Sequence, residues 1–362
     1  MSALMGTFTK KCIDLGNQCE ACAVFDVDNN GVLDIVCGEY WYEGPDFVRK
    51  HKICDITYEH GYVWDFSDYS MDVDGDGYLD IITASWWGGG LYWRQNPGGD
   101  ARGLWVTRKI CDLPEVETVR FYDIDGDGQM EIFPNCPGAP VFFIKLTGFS
   151  DGEVQFTKHV ISVENAGHGL GVGDVDGDGL PEIITATGIY HMPEGGAAGG
   201  LWHFFREFDL GTTSVPILVH EGNLIYGAGH DYGLFWLKQG KSSAGARTWE
   251  RFHIDGAWSQ YHDMQLVDIN NDGRLELLTG KRYLAHNGND PGDGGAVFIC
   301  YYTFEGDRMY RHIVEYGDAE KGASGVGIYF WTADLNGNGG LDIVAPGKEG
   351  LYLFMNEVDE CE

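Results

Sequence analysis

Asp72 to Asp80 reads DVDGDGYLD, and five further stretches repeat its pattern: Asp26 to Asp34 (DVDNNGVLD), Asp123 to Glu131 (DIDGDGQME), Asp174 to Glu182 (DVDGDGLPE), Asp268 to Glu276 (DINNDGRLE) and Asp334 to Asp342 (DLNGNGGLD). Each offers oxygen ligands at loop positions one, three, five and nine, with a glycine at position six where the chain turns sharply. That donor set suits a hard cation of flexible coordination such as calcium. One calcium is expected per loop, up to six in all, held by Asp26, Asp28, Asn30 and Asp34; Asp72, Asp74, Asp76 and Asp80; Asp123, Asp125, Asp127 and Glu131; Asp174, Asp176, Asp178 and Glu182; Asp268, Asn270, Asp272 and Glu276; and Asp334, Asn336, Asn338 and Asp342. The first and last loops carry the fewest acids and are expected to bind most weakly.

Working outward, apolar residues lead into each loop (AVF, YSM, VRFY, LGVG, MQLV, YFWTA) and an aliphatic run leaves it, as in DIITAS, EIITAT and ELLTGK. A third run follows (GLYWRQN, GLWHFF, GLFWLK, GLYLFMN), then a fourth (FVRKHKI, WVTRKI, FTKHVI, WERFHI, MYRHIV). Four short strands per repeat, recurring every fifty residues or so, is the sequence signature of a β-propeller. The loops start at residues 26, 72, 123, 174, 268 and 334, so the fourth and fifth are separated by two repeats. Ser214 to Asp255 fills that gap with a blade in which His220, Glu221 and Gly222 replace the acidic loop. The expected fold is an all-β, seven-bladed β-propeller forming one domain over residues 1–362. The last repeat stops soon after its third strand, and residues 8–13 (FTKKCI) are expected to supply the fourth and close the ring.

Composition narrows the partners. The formal net charge of -32 argues against nucleic acid or an anionic membrane. MSALMGTFTKK has no apolar leader core, and no apolar run is long enough to span a bilayer. A soluble, cytoplasmic protein is expected. The nine cysteines, an odd count with no framework, read as reduced thiols in that compartment; Cys19 and Cys22 form a lone C-x-x-C with no second pair.

The loops resemble those of the FG-GAP and VCBS repeat family, seven-bladed propellers that include the integrin α head. The resemblance implies that each loop joins the innermost strand to the second at one face of the ring, and that its calcium is structural. Function is then expected at the opposite, top face, where strand one begins and strand two ends. Six residues before each loop stand Glu20, Phe66, Glu117, His168, His262 and Ile328. After strand two come Glu39, Tyr40 and Trp41; Trp86 and Trp87; Tyr190 and His191; His230 and Asp231; and Lys281, Arg282, Tyr283 and His286.

The twelve histidines divide between the two ends. His51, His159, His253 and His312 share one register of the fourth strand and read as structural, as do His203, taken to lie on a third strand, and His220 in the degenerate turn. His60, His168, His191, His230, His262 and His286 are expected at the top face. Imidazoles gathered at one mouth suit metal ligation and proton transfer. Trp86, Trp87, Tyr190, His191, Glu39 and His60 are expected to contact a sugar, with Trp41 nearby.

GGGLYWRQNPGG (88–99), YHDMQLVDINNDG (261–273) and TGKRYLAHNGNDPGDGG (279–295) are similar to the propeller domain of the aldos-2-ulose dehydratase group. That resemblance implies a metal-assisted β-elimination on a keto-sugar or keto-glycoside, making the chain a carbohydrate lyase. The roles expected are His168, His230 and His262, with Glu117, as ligands of one further divalent metal (Mn, Zn, Mg, Ni or Fe) or as base; Lys281 or Arg282 at the oxyanion; and Tyr283 or His286 as proton donor. The alternative is a non-catalytic carbohydrate- or protein-binding propeller. The unlike residues at the blade tops favour a single catalytic site, because a lectin-like ring tends to repeat its site.

Overall fold

A computed structural model describes residues 7–357 and contains seven four-stranded antiparallel sheets. Blade one comprises Ala23–Phe25, Asp34–Cys37, Tyr40–Tyr42 and Lys50–Lys52; blade two comprises Ser67–Met71, Asp80–Ala84, Leu91–Gln95 and Val106–Cys111. Blade three comprises Val119–Tyr122, Glu131–Pro134, Pro140–Ser150 and Glu153–Asn165; blade four comprises Leu170–Gly173, Glu182–Thr185, Gly188–His191 and His203–Phe205. Blade five comprises Leu218–His220, Asn223–Gly227, Tyr232–Lys241 and Arg247–Ser259; blade six comprises Met264–Val267, Glu276–Gly280, Val297–Glu305 and Arg308–Gly317. Blade seven takes Trp331–Ala333, Asp342–Ala345 and Leu351–Glu357 from the end of the chain and Thr7–Asp14 from its beginning, with Phe8 opposite Asn356 and Lys10 opposite Phe354.

The first strands of neighbouring blades lie side by side around the axis. The second strands are buried along their whole length, as in Asp80–Ala84 and Glu276–Gly280. A strand covered on both faces needs apolar residues at consecutive positions, which explains the aliphatic runs after the loops. Each core cluster straddles two blades: Ile82, Leu91 and Trp93 of blade two pack with Val119, Ile132 and Phe142 of blade three. The blades therefore cohere through their faces, and no blade has a core of its own.

The four histidines of the outer register each lie against a third-strand aromatic ring: His51 on Trp41 (4.5 Å between centroids), His159 on Phe143 (4.7 Å), His253 on Phe235 (4.8 Å) and His312 on Tyr301 (4.7 Å). These are cross-strand packing pairs. In blade four the third strand is Gly188–His191, and GLWHFF supplies the outer strand instead of the third. His203 accordingly moves to the periphery, and the short segment after Thr185 leaves no room for Tyr190 and His191 in a top loop. Leu218–His220 and Asn223–Gly227 are joined directly through Glu221 and Gly222, both at positive φ, as a two-residue hairpin needs.

All six acidic loops fold alike. The position-nine carboxylate accepts the N–H of position two at 2.7 to 3.2 Å, from Val27 to Asp34 through Leu335 to Asp342. The position-one carboxylate accepts the N–H of the position-six glycine at 2.7 to 3.1 Å. Eight of the cysteines carry free thiols, six of them buried, and Cys19 and Cys22 are not bridged; Cys361 lies outside the described residues.

Candidate functional site

Opposite the acidic loops, Tyr62, Phe66, Trp86, Trp87, Glu117, His168, His230, Arg282 and His286 line a cavity of about 230 Å³. The residues six places before the loops do converge here. Phe66, Glu117 and His168 form its wall, Glu20 grips Arg282 beneath it, His262 lies behind His230, and Ile328 packs against Phe66.

The imidazoles form one connected group. The His230 ring centroid lies 5.1 Å from that of His168, 4.4 Å from His286 and 5.6 Å from His262. Three different blades supply these side chains, so the ring must be assembled before the group exists. His230 follows the second strand of blade five, where Gly229 adopts φ +67 and a Cβ would meet the Thr213 carbonyl oxygen at 2.8 Å. The close approach of backbones there needs glycine. His286 rides on the loop after Gly280, which Lys348 pins by donating to the Leu284 carbonyl at 2.7 Å and to Asn287 Oδ1 at 2.9 Å.

That loop also delivers Asp290, which sequence reasoning missed. His230 Nδ1 lies 3.0 Å from His286 Nδ1 and 3.1 Å from Asp290 Oδ2, and His286 Nδ1 closes the triangle on the same oxygen. The available signal was the four-residue spacing from His286 inside HNGNDPGDGG, hidden by the ordinary reading of Asn, Asp and Gly as turn residues. Two ring nitrogens and a carboxylate oxygen within these distances fit a shared cation, since metal–nitrogen bonds of about 2.1 Å at a right angle separate their nitrogens by about 3 Å. His262 adds a further candidate: it is 2% exposed, and neither ring nitrogen has a hydrogen-bond partner. Burial, then the positive charge of Arg282 and the other imidazoles, holds its pKa well below the usual range, keeping it a neutral donor.

His168, expected as ligand or base, stands apart from the triangle of His230, His286 and Asp290. Its Nδ1–H donates to the Thr213 carbonyl at 2.6 Å, while Nε2 faces Glu117 Oε2 at 3.6 Å and has no hydrogen bond. Burial opposes charge on His168, but Glu117 outweighs it and raises the imidazole pKa. Burial likewise lifts Glu117, yet His168, Arg282 and His230 together hold its carboxyl at about 2. The two form a charge-coupled pair.

Arg282 is 1% exposed and gives Nε and Nη2 to the two Glu20 oxygens at 2.7 and 3.1 Å, its guanidinium 5.2 Å from the Phe66 ring centroid. The Tyr62 and Trp87 rings meet at 4.7 Å, tilted by 45°, on the cavity rim.

Several expected site residues lie elsewhere. Trp41 and Tyr190 are buried in strand three, in the clusters between blades, so neither presents a face to a sugar. His191 lies at the opposite face, its Nδ1 3.5 Å from Asp176 and 3.4 Å from Glu182 of an acidic loop. Lys281 points away from the cavity and donates to the Gly292 carbonyl, burial pushing its pKa down to about 8. Tyr283, at the start of the turn that follows, does not line the cavity either. Glu39 accepts the Ile56 N–H at 3.0 Å, away from the histidines. His60 is exposed on the hairpin Tyr58–Val63, and its carbonyl accepts from Asn287 at 2.9 Å.

Residues 72–133 match the FG-GAP-like repeat family. The FG-GAP-like match spans the loops of blades two and three. Among curated proteins, no sequence matches the chain. Among solved structures, BBS1N in complex with ARL6DN, soaked with mercury, shares the fold at a TM-score of 0.57 and 11% identity, over 97% of this chain and 96% of that one. The lead-soaked form of the same complex gives 0.54 and 11%, over 96% and 98%. Rhamnogalacturonan lyase YesW gives 0.41 and 13%, over 98% and 75%. The TM-scores above 0.5 show a common fold with the BBS1N structures and, at 11% identity, nothing about chemistry. Among the described residues, no helix is long and apolar enough to cross a membrane.

Proposed function

We propose that the chain is a metal-assisted carbohydrate lyase or dehydratase, catalysing β-elimination on a keto-sugar or keto-glycoside at the mouth of the channel. One observation carries the reading: three imidazoles from three blades, His168, His230 and His286, meet Glu117 and Arg282 in a single cavity walled by Trp86, Trp87, Tyr62 and Phe66, with Asp290 and His262 packed against them. Packing alone has no need for that convergence. A divalent metal held by His230, His286 and Asp290, with His262 in reserve, would polarise the sugar carbonyl, and two imidazoles favour zinc, manganese, iron or nickel over magnesium.

His168 is the residue suited to move the proton. With Nδ1–H fixed on Thr213, the neutral ring carries its lone pair at Nε2, now buried against Glu117; turned into the cavity it would take the proton next to the carbonyl, and Glu117 would stabilise the imidazolium formed. The C–H pair becomes the enolate, which expels the β-oxygen as the carbon–oxygen bond breaks; Nε2 then returns the proton to the leaving oxygen. Arg282, positioned by Glu20, faces the developing enolate charge. The test is the rise in ultraviolet absorbance of a new enone as keto-glycosides are consumed. His168→Ala should lower that rate roughly a hundredfold or more. Wild-type protein that forms no enone from any keto-sugar, but binds glycans with or without these histidines, would instead be a binding module.

We also propose that calcium occupies the acidic loops outside blade three as a structural ion, and that Thr7–Asp14 closes the ring. Burial, opposed by backbone N–H groups and reinforced by neighbouring acids, lifts Asp34 to about 6 and Asp80, Glu182 and Glu276 to about 7. A divalent cation relieves that repulsion. Free, mostly buried thiols agree with a cytoplasmic location.

A further inference from the structure

The strand pairing makes the six acidic repeats comparable residue by residue. In each, the residue after the position-nine acid pairs with one on the third strand: Ile35 with Tyr42, Ile81 with Arg94, Ile132 with Ile144, Ile183 with Tyr190, Leu277 with Tyr302 and Ile343 with Phe354. The next third-strand residue stands beside the loop, and in blades two, three and four its side chain contacts a loop carboxylate. It is Glu43, Gln95, Lys145, His191, Thr303 and Met355 in turn.

Lysine occurs there in blade three alone among these six. Its Nζ lies 2.6 Å from Asp125 Oδ2, 2.6 Å from Asp127 Oδ2 and 2.8 Å from Glu131 Oε1, the carboxylates at loop positions three, five and nine. Those are three of the oxygens expected to bind calcium, whose bonds of roughly 2.3 to 2.6 Å would centre the ion among them. The loop is otherwise built like its siblings: Ile124 N–H donates to Glu131 and Gly128 N–H to Asp123, both at 2.9 Å. Its conformation is therefore intact, and what sets it apart is the ammonium among its carboxylates. In blade two, by contrast, Gln95 gives one neutral amide hydrogen bond to Asp74 at 2.6 Å, leaving Asp76 and Asp80 uncompensated.

We propose that Lys145 serves as a built-in cation for blade three, so that this loop carries the propeller's acidic motif but binds no calcium. An ammonium and a calcium ion cannot share one set of three carboxylates: the second charge would meet the first within contact distance. The inference rests on the reading that the other loops hold calcium.

The test is a calcium count per chain on the intact protein, by native mass spectrometry after chelation and re-addition of calcium. Lys145→Gln should bind one more calcium than wild type. In the wild-type background, Asp125→Asn should leave the count unchanged, whereas Asp74→Asn in blade two should lower it by one. Equal counts for wild type and Lys145→Gln, or one calcium lost in Asp125→Asn, overturn the proposal. If Lys145→Gln does not fold, the two aspartate variants decide. An unchanged count in Asp74→Asn refutes calcium in blade two and leaves the Lys145 comparison standing; no calcium in any variant refutes both.

Discussion

Arg282 and Glu20 stand 262 positions apart in the chain and form a fully buried, two-pronged ion pair directly beneath the histidine cavity. The pair ties the loop after the second strand of blade six to the segment entering blade one, across the start of blade seven. Removing one partner of such a pair strands the other charge out of water. Glu20→Ala should therefore cost about 3 to 5 kcal/mol of stability, read as a lower urea midpoint, and Glu20→Gln should recover part of it. An unchanged midpoint in the alanine variant would contradict the buried pairing.

Glu117 should make the protein acid-sensitive in a defined window. Its folded pKa of about 2 lies below the ordinary 4.5, so its stabilisation is present above 4.5 and is lost as pH falls towards 2. His168 works in the opposite direction: its raised pKa gives stability that is complete below 6.5 and is lost as pH rises through the folded value. The difference in unfolding free energy between wild type and Glu117→Gln should shrink on acidification from 4.5 towards 2. A difference independent of pH would show that the two side chains are not coupled.

Calcium removal should expose the opposite trend in the loops. Asp34, Asp80, Glu182 and Glu276 have folded pKa values above their ordinary ones, so the apoprotein should lose stability as pH rises from about 4 through 6 to 7. Calcium binds the ionised, native loops and should raise the melting temperature, most of all above pH 7. Identical melting curves in excess chelator and in calcium would exclude a structural ion.

Metal content should follow the triangle of His230, His286 and Asp290. His286→Ala and Asp290→Ala should each lower transition-metal occupancy tenfold or more, measured by elemental analysis after dialysis against zinc or manganese. His191→Ala, at the other face, should leave the cavity metal untouched.

Deleting residues 1–13 should expose the edge of Leu351–Glu357. An unpaired, largely apolar strand invites pairing with another chain. Light scattering should show aggregation, and a monomeric truncation of undiminished stability would argue against closure by this strand.

Legibility in the sequence tracked how local each constraint was. The acidic loops were readable because one nine-residue turn fixes its own conformation, and the aliphatic runs after them because complete burial leaves no polar position. The residues at the strand tops were readable too, since a fixed count back from each loop places Glu117, His168 and His262 at one end of the ring. Beyond the sheets that count failed. The short outer strand of blade four shifted Tyr190 into the core and His191 to the far face, and a hydrophobic run gives no sign of which of two adjacent strands it will be. Asp290 was invisible for the same reason: only Lys348 and blade five's turn decide where a glycine-rich loop folds back.

The sequence by itself determined seven repeats, a β-propeller and the end of the ring at which imidazoles gather, because strand periodicity and turn chemistry act within a few residues. Only the tertiary structure decided that His230, His286 and Asp290 meet, that Glu117 faces His168, that Glu20 holds Arg282 and that Lys145 enters an acidic loop. Those contacts join residues from different strands and blades, and their distances are set by ring closure and interblade packing, which no local pattern encodes.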